Sequence, residues 1–243
     1  MKTSISLLVA LLFFSIRSNA QDVPVSHIPL LGEMAPEFTA ESTQGKIKFP
    51  DDFFMKWKVL FSHPADFTPV CSTELLELAR LQDEFEKLDT KILVLSTDGL
   101  ESHLEWIRAL ESIRYKKGKP ISIHFPLITD KNLEISRKFG MINSFTSDTR
   151  DVRGVFIIDP NDRIRAIFFY PNEIGRNLDE ILRTVVALQT AESKDVLVPA
   201  NWNPGDDFLI RAPKSRADAD RLSSKKDPEL YSLTWFLWFL KAE

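Results

Sequence analysis

Cys71 is the only cysteine in the 243-residue chain, and it closes the stretch Pro64-Ala65-Asp66-Phe67-Thr68-Pro69-Val70-Cys71. The apolar run Val59-Leu60-Phe61 leads in, and an amphipathic stretch leads out. A thiol at such a strand-to-helix junction sits where a protein can hold it as a thiolate, the nucleophilic form. Elsewhere a lone cysteine is more often a small buried hydrophobe. Thr68 suits the N-cap of the following helix, its hydroxyl accepting a bond from an orphan amide. Pro69 then takes the first helical position, where its missing N–H costs nothing. Cys71 falls at the third position, which holds Glu or Gln in a capping box. Free N–H groups and the helix dipole favour negative charge there. The plainer alternative is an ordinary capped helix carrying an inert cysteine.

Around this junction the chain must supply a scaffold. Leu75, Leu78, Leu81, Phe85 and Leu88 recur at three-and-four spacing, which predicts a helix with one buried face. Lys91-Ile92-Leu93-Val94-Leu95 reads as a central strand buried on both faces. Leu100 to Ile113 reads as a helix with Leu104, Ile107 and Leu110 on one side, and Leu133 to Phe139 as a shorter one ended by Gly140. Val155–Ile158 and Ile164–Tyr170 flank the turn-rich Asp159-Pro160-Asn161-Asp162, so they read as a hairpin. Asn177, with Glu180 three residues on, starts a last helix that runs to about Gln189. Alternating strands and helices, closed by a hairpin and a helix, predict an α/β domain with a mixed central sheet flanked by helices.

Composition narrows the class. Hydrophobic residues make up 44 % and charged residues 27 %, values of a globular protein with a real core. The formal net charge is −4, which argues against nucleic acid as a partner. No zinc spacing, Gly-rich phosphate loop or internal repeat is present, and His27, His103 and His124 show no metal-ligand spacing, so neither metal nor cofactor is expected. Residues 1–20 read as a signal peptide: Lys2 is the basic start, Ile5 to Ile16 the apolar run, and Ser18-Asn19-Ala20 a cleavage pattern. Twelve helical residues span about 18 Å, short of the ~30 Å hydrocarbon core. Export with removal near Ala20, to a periplasmic or secreted location, is therefore expected over a membrane anchor. With Lys2 and Arg17 gone, 29 basic residues face 35 acidic ones, a net charge of −6. An exported protein usually pairs its cysteines, and Cys71 has none to pair with in this chain, so it is either buried and inert or free and reactive.

The pattern P-x-x-x-T-x-x-C, here Pro64, Thr68 and Cys71, resembles the active-site signature of the peroxiredoxins. The longer string from His63 to Leu75 resembles the one-cysteine branch. Phe125-Pro126-Leu127-Ile128, Arg153-Gly154-Val155-Phe156-Ile157-Ile158-Asp159 and the stretch Gly175 to Arg183 resemble further segments of that family, in the same order. The resemblance runs from about Ile28 to about Asp227. It implies a thioredoxin-like domain over residues 28–192, and over 193–243 the smaller C-terminal extension of that branch. The breaks at Pro199, Pro204, Gly205 and Pro213, and the charged stretch Arg216–Lys226, agree with a change of character there. The closing Trp235-Phe236-Leu237-Trp238-Phe239-Leu240 is too short to span a membrane. It is expected to pack on a partner subunit or on its own.

The resemblance also implies a chemistry, peroxide reduction. The Cys71 thiolate attacks one oxygen of a peroxide and becomes a sulfenic acid. Lowering a thiol's pKa from ~8.5 to ~6 raises the thiolate fraction at pH 7 roughly thirtyfold. A Brønsted slope of about 0.4–0.5 takes back about tenfold of that as lost nucleophilicity. Most of the acceleration must then come from donors aimed at the breaking O–O bond. By the resemblance Arg153 supplies them through its fixed fork, Thr68 hydrogen-bonds sulfur and peroxide, and Pro64 shields the thiolate. Glu74 and Arg176 orient Arg153, while His63 either influences Cys71 or serves as packing. With no second cysteine, turnover requires an external reductant: a thioredoxin-like protein, glutathione or another small thiol. The edge strand Ile164–Tyr170 suits a homodimer, or a ring of dimers. Some one-cysteine relatives are also phospholipases through a serine in a Gly-containing element; Phe54-Met55-Lys56-Trp57-Lys58 has neither residue, so that activity is not expected. Two other readings are a redox sensor that passes oxidation on by mixed disulfide, and a holdase-type chaperone using the aromatic tail.

Overall fold

The structure, a computed structural model, describes residues 28–242 apart from 119, 143 and 144. The segment read as an export signal, and residues 21–27 after it, lie outside the described residues. The central strands are the apolar runs of the sequence. β3 (Trp57–Ser62) and β4 (Thr90–Ser96) pair in parallel, with Phe61 opposite Val94. β5 (Leu127–Thr129) extends that parallel set beyond β4. On the far side of β3 lies β6 (Arg153–Ile158), antiparallel, with Phe61 opposite Val155. β7 (Ile164–Tyr170) pairs antiparallel with β6 as the expected hairpin and forms one edge of the sheet. The other edge is a hairpin the sequence reading did not anticipate, β1 (Phe38–Ser42) with β2 (Gly45–Phe49). The full order is β2-β1-β5-β4-β3-β6-β7, a mixed sheet.

Strand periodicity sorts the core into two layers. Val59, Phe61, Ile92, Val94, Val155 and Ile157 face one side. There they meet α1 (Pro69–Lys87), α2 (Leu100–Glu111) and α4 (Leu178–Lys194) through residues such as Leu75, Trp106 and Ile181. Leu60, Leu93, Leu95, Phe156 and Ile158 face the other side, against Ile135 of α3 (Glu134–Lys138), the neighbouring Phe139, and Phe38 and Phe49 of the first hairpin. Both faces of the central strands are covered, which is why their sequences run apolar without alternation. α1 begins at Pro69 as the capping signals predict, and Gly140 follows α3 in the left-handed conformation. α4 continues to Lys194, five residues beyond the expected end, because its apolar periodicity carries on to Val196, which closes a separate small core with Trp202 and Phe208.

The C-terminal segment is more ordered than its composition indicates. β8 (Phe208–Leu209), β9 (Leu230–Thr234) and β10 (Leu237–Leu240) make a second sheet, ordered β8-β10-β9. The charged stretch forms α5 (Arg216–Ser224), whose N-cap Ser215 accepts a bond from the Asp218 amide. The aromatic tail is divided. Trp238 is buried within its own subunit and Phe239 stacks on Tyr231 at 5.0 Å, while Leu233, Trp235 and Phe236 remain exposed.

Candidate active site

The β3–α1 turn delivers Cys71 into the interior, at the point where β6 and the start of α4 also converge. Cys71 has no exposed surface. Arg153, the first residue of β6, donates from Nη1 to the Cys71 sulfur at 3.2 Å and to Glu74 Oε2 at 2.7 Å. Its Nε and Nη2 both donate to the backbone carbonyl of Asn172, at 3.1 and 2.8 Å. The guanidinium is thus held on its far side by β7's C-terminal continuation and on its near side by α1. The sulfur thus meets a donor held from both sides.

Glu74, one turn after Cys71, is the hub. Its Oε1 accepts from the Arg176 backbone N–H at 2.7 Å and from Arg176 Nε at 2.9 Å; Oε2 accepts from Arg176 Nη2 at 2.8 Å. Arg176 Nη1 donates to the carbonyls of Ser62 and Gly154, both at 2.8 Å, which ties the pair to β3 and β6. All three charged side chains are buried. Removing charges from water costs several kcal/mol each unless they are paired and fully hydrogen-bonded, and here four donors saturate one carboxylate. Two guanidiniums against one carboxylate leave a single positive charge, set beside the Cys71 sulfur. The structure thus brings Glu74 and Arg176, both singled out in the sequence, together with Arg153.

Thr68 departs from its expected contact. It occupies the N-cap position with extended backbone, φ −96° and ψ 146°, but no side chain caps the helix. Its hydroxyl instead donates to the Ala65 carbonyl at 2.9 Å. The hydroxyl reaches back three residues to that carbonyl and closes the turn. The first-turn amides of α1 are thereby left without a side-chain cap, at the end of the helix that carries Cys71. Pro64 is buried in the turn before it.

His63 is packed rather than bonded. It is fully buried, stacks on Trp106 at 5.0 Å, and neither ring nitrogen has a hydrogen-bond partner among the described residues; Nε2 lies 3.6 Å from Asp66 Oδ1. Burial, then the positive fields of Arg176 and neighbouring groups, holds it well below the usual histidine range, so the ring is neutral. Asn172, Asp66, His103 and Trp106 were not singled out from the sequence. Asn172 acts through its backbone carbonyl, which carries no residue-type signal. Asp66 and His103 meet at 2.8 Å across 37 positions of chain. Among the described residues, no three His, Cys, Asp or Glu side chains are placed to hold a metal ion.

Known proteins resemble this chain over most of its described length. The profile of the AhpC/TSA family matches residues 31–167, and that of the C-terminal domain of 1-Cys peroxiredoxin matches 187–225. A peroxiredoxin of Methanosarcina mazei is 46 % identical over 215 residues, covering 88 % of this chain and 98 % of the relative. One of Thermotoga petrophila is 49 % identical over 216 residues, covering 87 % and 97 %. Among solved structures, a yeast mitochondrial 1-Cys peroxiredoxin, studied for its thiol resolving mechanism via glutathione/thioredoxin systems, superposes with TM-score 0.76 at 37 % identity, covering 88 % of this chain and all of the other. A mutant peroxiredoxin 6 of Arenicola marina gives TM-score 0.76 at 34 % identity, covering 88 % and 99 %.

Proposed function

This chain belongs to the AhpC/TSA family of peroxiredoxins and is a thiol-dependent peroxidase, and we propose that Cys71 is its peroxide-reducing residue, assisted by Arg153, Thr68 and Pro64. The observation that carries the assignment is the 3.2 Å contact between Arg153 Nη1 and the Cys71 sulfur, within a buried assembly of one surplus positive charge.

The chemistry follows from the donor count. Arg153 has five N–H groups. Two are spent on Asn172, one on Glu74 and one on Cys71. The fifth, on Nη2, meets no acceptor among the described residues and is available to an incoming oxygen. The Cys71 thiolate attacks the terminal oxygen of ROOH; the S–O bond forms as the O–O bond breaks. The bonding pair leaves on RO⁻, which takes a proton from water and departs as ROH. Sulfur loses two electrons and the peroxide gains them, leaving Cys71 as a sulfenic acid. Arg153 stabilises the charge that builds on the departing oxygen. Thr68, its proton committed to Ala65, offers its oxygen as acceptor for the peroxide hydroxyl. Glu74 and Arg176 are positioning residues, and His63 packs behind the turn as a neutral ring.

An external thiol completes the cycle: its sulfur displaces hydroxide from the sulfenic acid, which leaves as water, and a second thiol then releases Cys71. Glutathione, a thioredoxin-like protein or a small thiol fits this step equally in chemistry. Self-association as a homodimer is supported by the open edge of β7 with partly exposed Phe169, and by exposed Leu233, Trp235 and Phe236. Sedimentation of the mature protein separates a dimer from a ring of dimers or a monomer. Export is supported by Lys2, the run Ile5–Ile16 and Ser18-Asn19-Ala20; the N-terminal residue of protein recovered outside the cytoplasm tests it.

The function is tested by stopped-flow peroxide consumption with hydrogen peroxide and an alkyl hydroperoxide, against a panel of thiols. Turnover by the wild type and none by Cys71→Ser is expected. Equal turnover by the two proteins refutes the assignment.

A further inference from the structure

The turn that carries Pro64 and Thr68 contains a strained residue. Phe67 adopts φ +55°, the left-handed region, although it is neither Gly nor Asn. Such a conformation costs about 1–2 kcal/mol and persists only where the surroundings over-determine it. The restraint is visible on both sides. After Phe67, the Thr68 hydroxyl closes the turn on the Ala65 carbonyl. Before it, Asp66 is bonded three times. Its backbone N–H donates to Asp98 Oδ2 at 2.7 Å, and its own Oδ2 accepts from Ser102 Oγ at 2.7 Å and faces His103 Nδ1 at 2.8 Å.

His103 is fully buried, and its other nitrogen, Nε2, lies 3.3 Å from the carbonyl of Ile128 on β5. The ring therefore joins α2 to the turn through Asp66 and lies against β5. None of these contacts involves the Arg153, Glu74 and Arg176 assembly, which is anchored on α1, β6 and Asn172. The site thus has two independent supports. One fixes the charge beside the sulfur. The other fixes the turn whose residues stand where peroxide arrives.

We propose that His103 is a positioning residue for peroxide reduction: through Asp66 it clamps the strained turn and sets where Pro64 and Thr68 stand relative to Cys71. This rests on the peroxidase assignment above. Two reactivities share the Cys71 sulfur. Reaction with peroxide needs the sulfur, the Arg153 fork and a correctly placed turn. Alkylation by iodoacetamide needs the anionic sulfur but no oxygen-binding geometry. Loss of the clamp separates them, because a misplacement of about 1 Å costs on the order of 10²-fold in a positioned reaction.

The experiment compares wild type, His103→Leu, His103→Asn and Ser102→Ala. For each, the second-order rate of Cys71 oxidation by hydrogen peroxide is measured by stopped flow, and the rate of iodoacetamide alkylation by mass spectrometry. His103→Leu is expected to slow oxidation roughly tenfold to hundredfold without slowing alkylation. His103→Asn, which keeps a donor near the Nδ1 position, is expected to recover most of that loss, and Ser102→Ala to show a smaller loss of the same kind. A parallel fall in both rates, or an unchanged oxidation rate, overturns the proposal. If His103→Leu does not fold, Ser102→Ala decides: oxidation slowed alone supports the clamp, and no change overturns it. A wild type that is alkylated at Cys71 yet ignores peroxide overturns the peroxidase assignment itself, a result distinct from any pattern among the variants.

Discussion

Arg153 touches Cys71 and Glu74 with the same nitrogen: Nη1 lies 3.2 Å from the sulfur and 2.7 Å from Oε2. The two contacts constrain each other. Glu74 pulls the guanidinium into register with the sulfur, and it is itself locked by three bonds from Arg176. A single arginine aimed by a long flexible side chain would lose rotamer entropy on every turnover. Here that ordering is done in the folded protein, as the role proposed for Arg153 requires.

Arg153→Lys is therefore not a mild change. Lysine keeps the charge, but its single nitrogen cannot hold Asn172, Glu74 and the sulfur together while leaving a hydrogen for peroxide. The rate of Cys71 oxidation is expected to fall by about 10²-fold or more, with far-ultraviolet circular dichroism unchanged. Retention of more than half the wild-type rate would show that charge alone suffices.

Glu74→Gln removes the anion between two buried guanidiniums. Breaking a buried pair in this way costs about 3–5 kcal/mol. Urea unfolding should show that loss, and peroxide oxidation should slow as well, because Arg153 is no longer held against α1. A variant as stable as the wild type would mean that the carboxylate contributes no compensation.

His63 carries a pH signature. Its folded-state pKa is depressed by burial, so the neutral ring stabilises the fold above about 6.5 and that contribution is lost as pH falls toward the lower folded value. Melting temperature is expected to drop as pH is lowered below 6.5 in the wild type, and less steeply in His63→Phe. Identical pH dependence in the two proteins would contradict the assignment of a buried neutral ring.

Asp151 carries the opposite signature. Both its oxygens are buried, and burial, reinforced by the Asp130 and Asp98 carboxylates and only partly offset by the nearby Ser136 hydroxyl, raises its pKa from 3.8 to about 8. The unfolded chain ionises near 3.8 and the folded chain near 8, so stability is lost as pH rises between those values and levels off above them. Asp151→Asn should raise the melting temperature by roughly 5 °C or more at pH 8, and by progressively less toward pH 4. A constant difference across that range would rule out a buried proton at Asp151.

Much of this site was legible in the sequence, and the rest was hidden for physical reasons. Helix phasing placed Cys71 in the first turn of α1, because Thr68-Pro69 is a strong start signal and the Leu75-to-Leu88 spacing fixes the buried face. Arg153 and Arg176 came from resemblance of segments; no local pattern says that residues 79 and 102 positions beyond Glu74 converge on it. The Thr68 hydroxyl was misassigned because capping statistics describe free helix ends, whereas here the Ala65 carbonyl competes for it. Asn172 and Ile128 act through their carbonyls, so side-chain identity is silent there. His103 lay in plain view as a helical residue, but its partner Asp66 is on another element, and only the fold brings them together. The C-terminal sheet was missed because Pro and Gly breaks mask strands as short as Phe208–Leu209.

The most direct test of the central claim is a brief, stoichiometric hydrogen peroxide pulse on the reduced protein with dimedone present, followed by peptide mass spectrometry. The account predicts that nearly all Cys71 carries the dimedone adduct, formed through its sulfenic acid, and that Arg153→Gln carries far less at the same time point. Fully reduced Cys71 in the wild type, with the peroxide unconsumed, would contradict it.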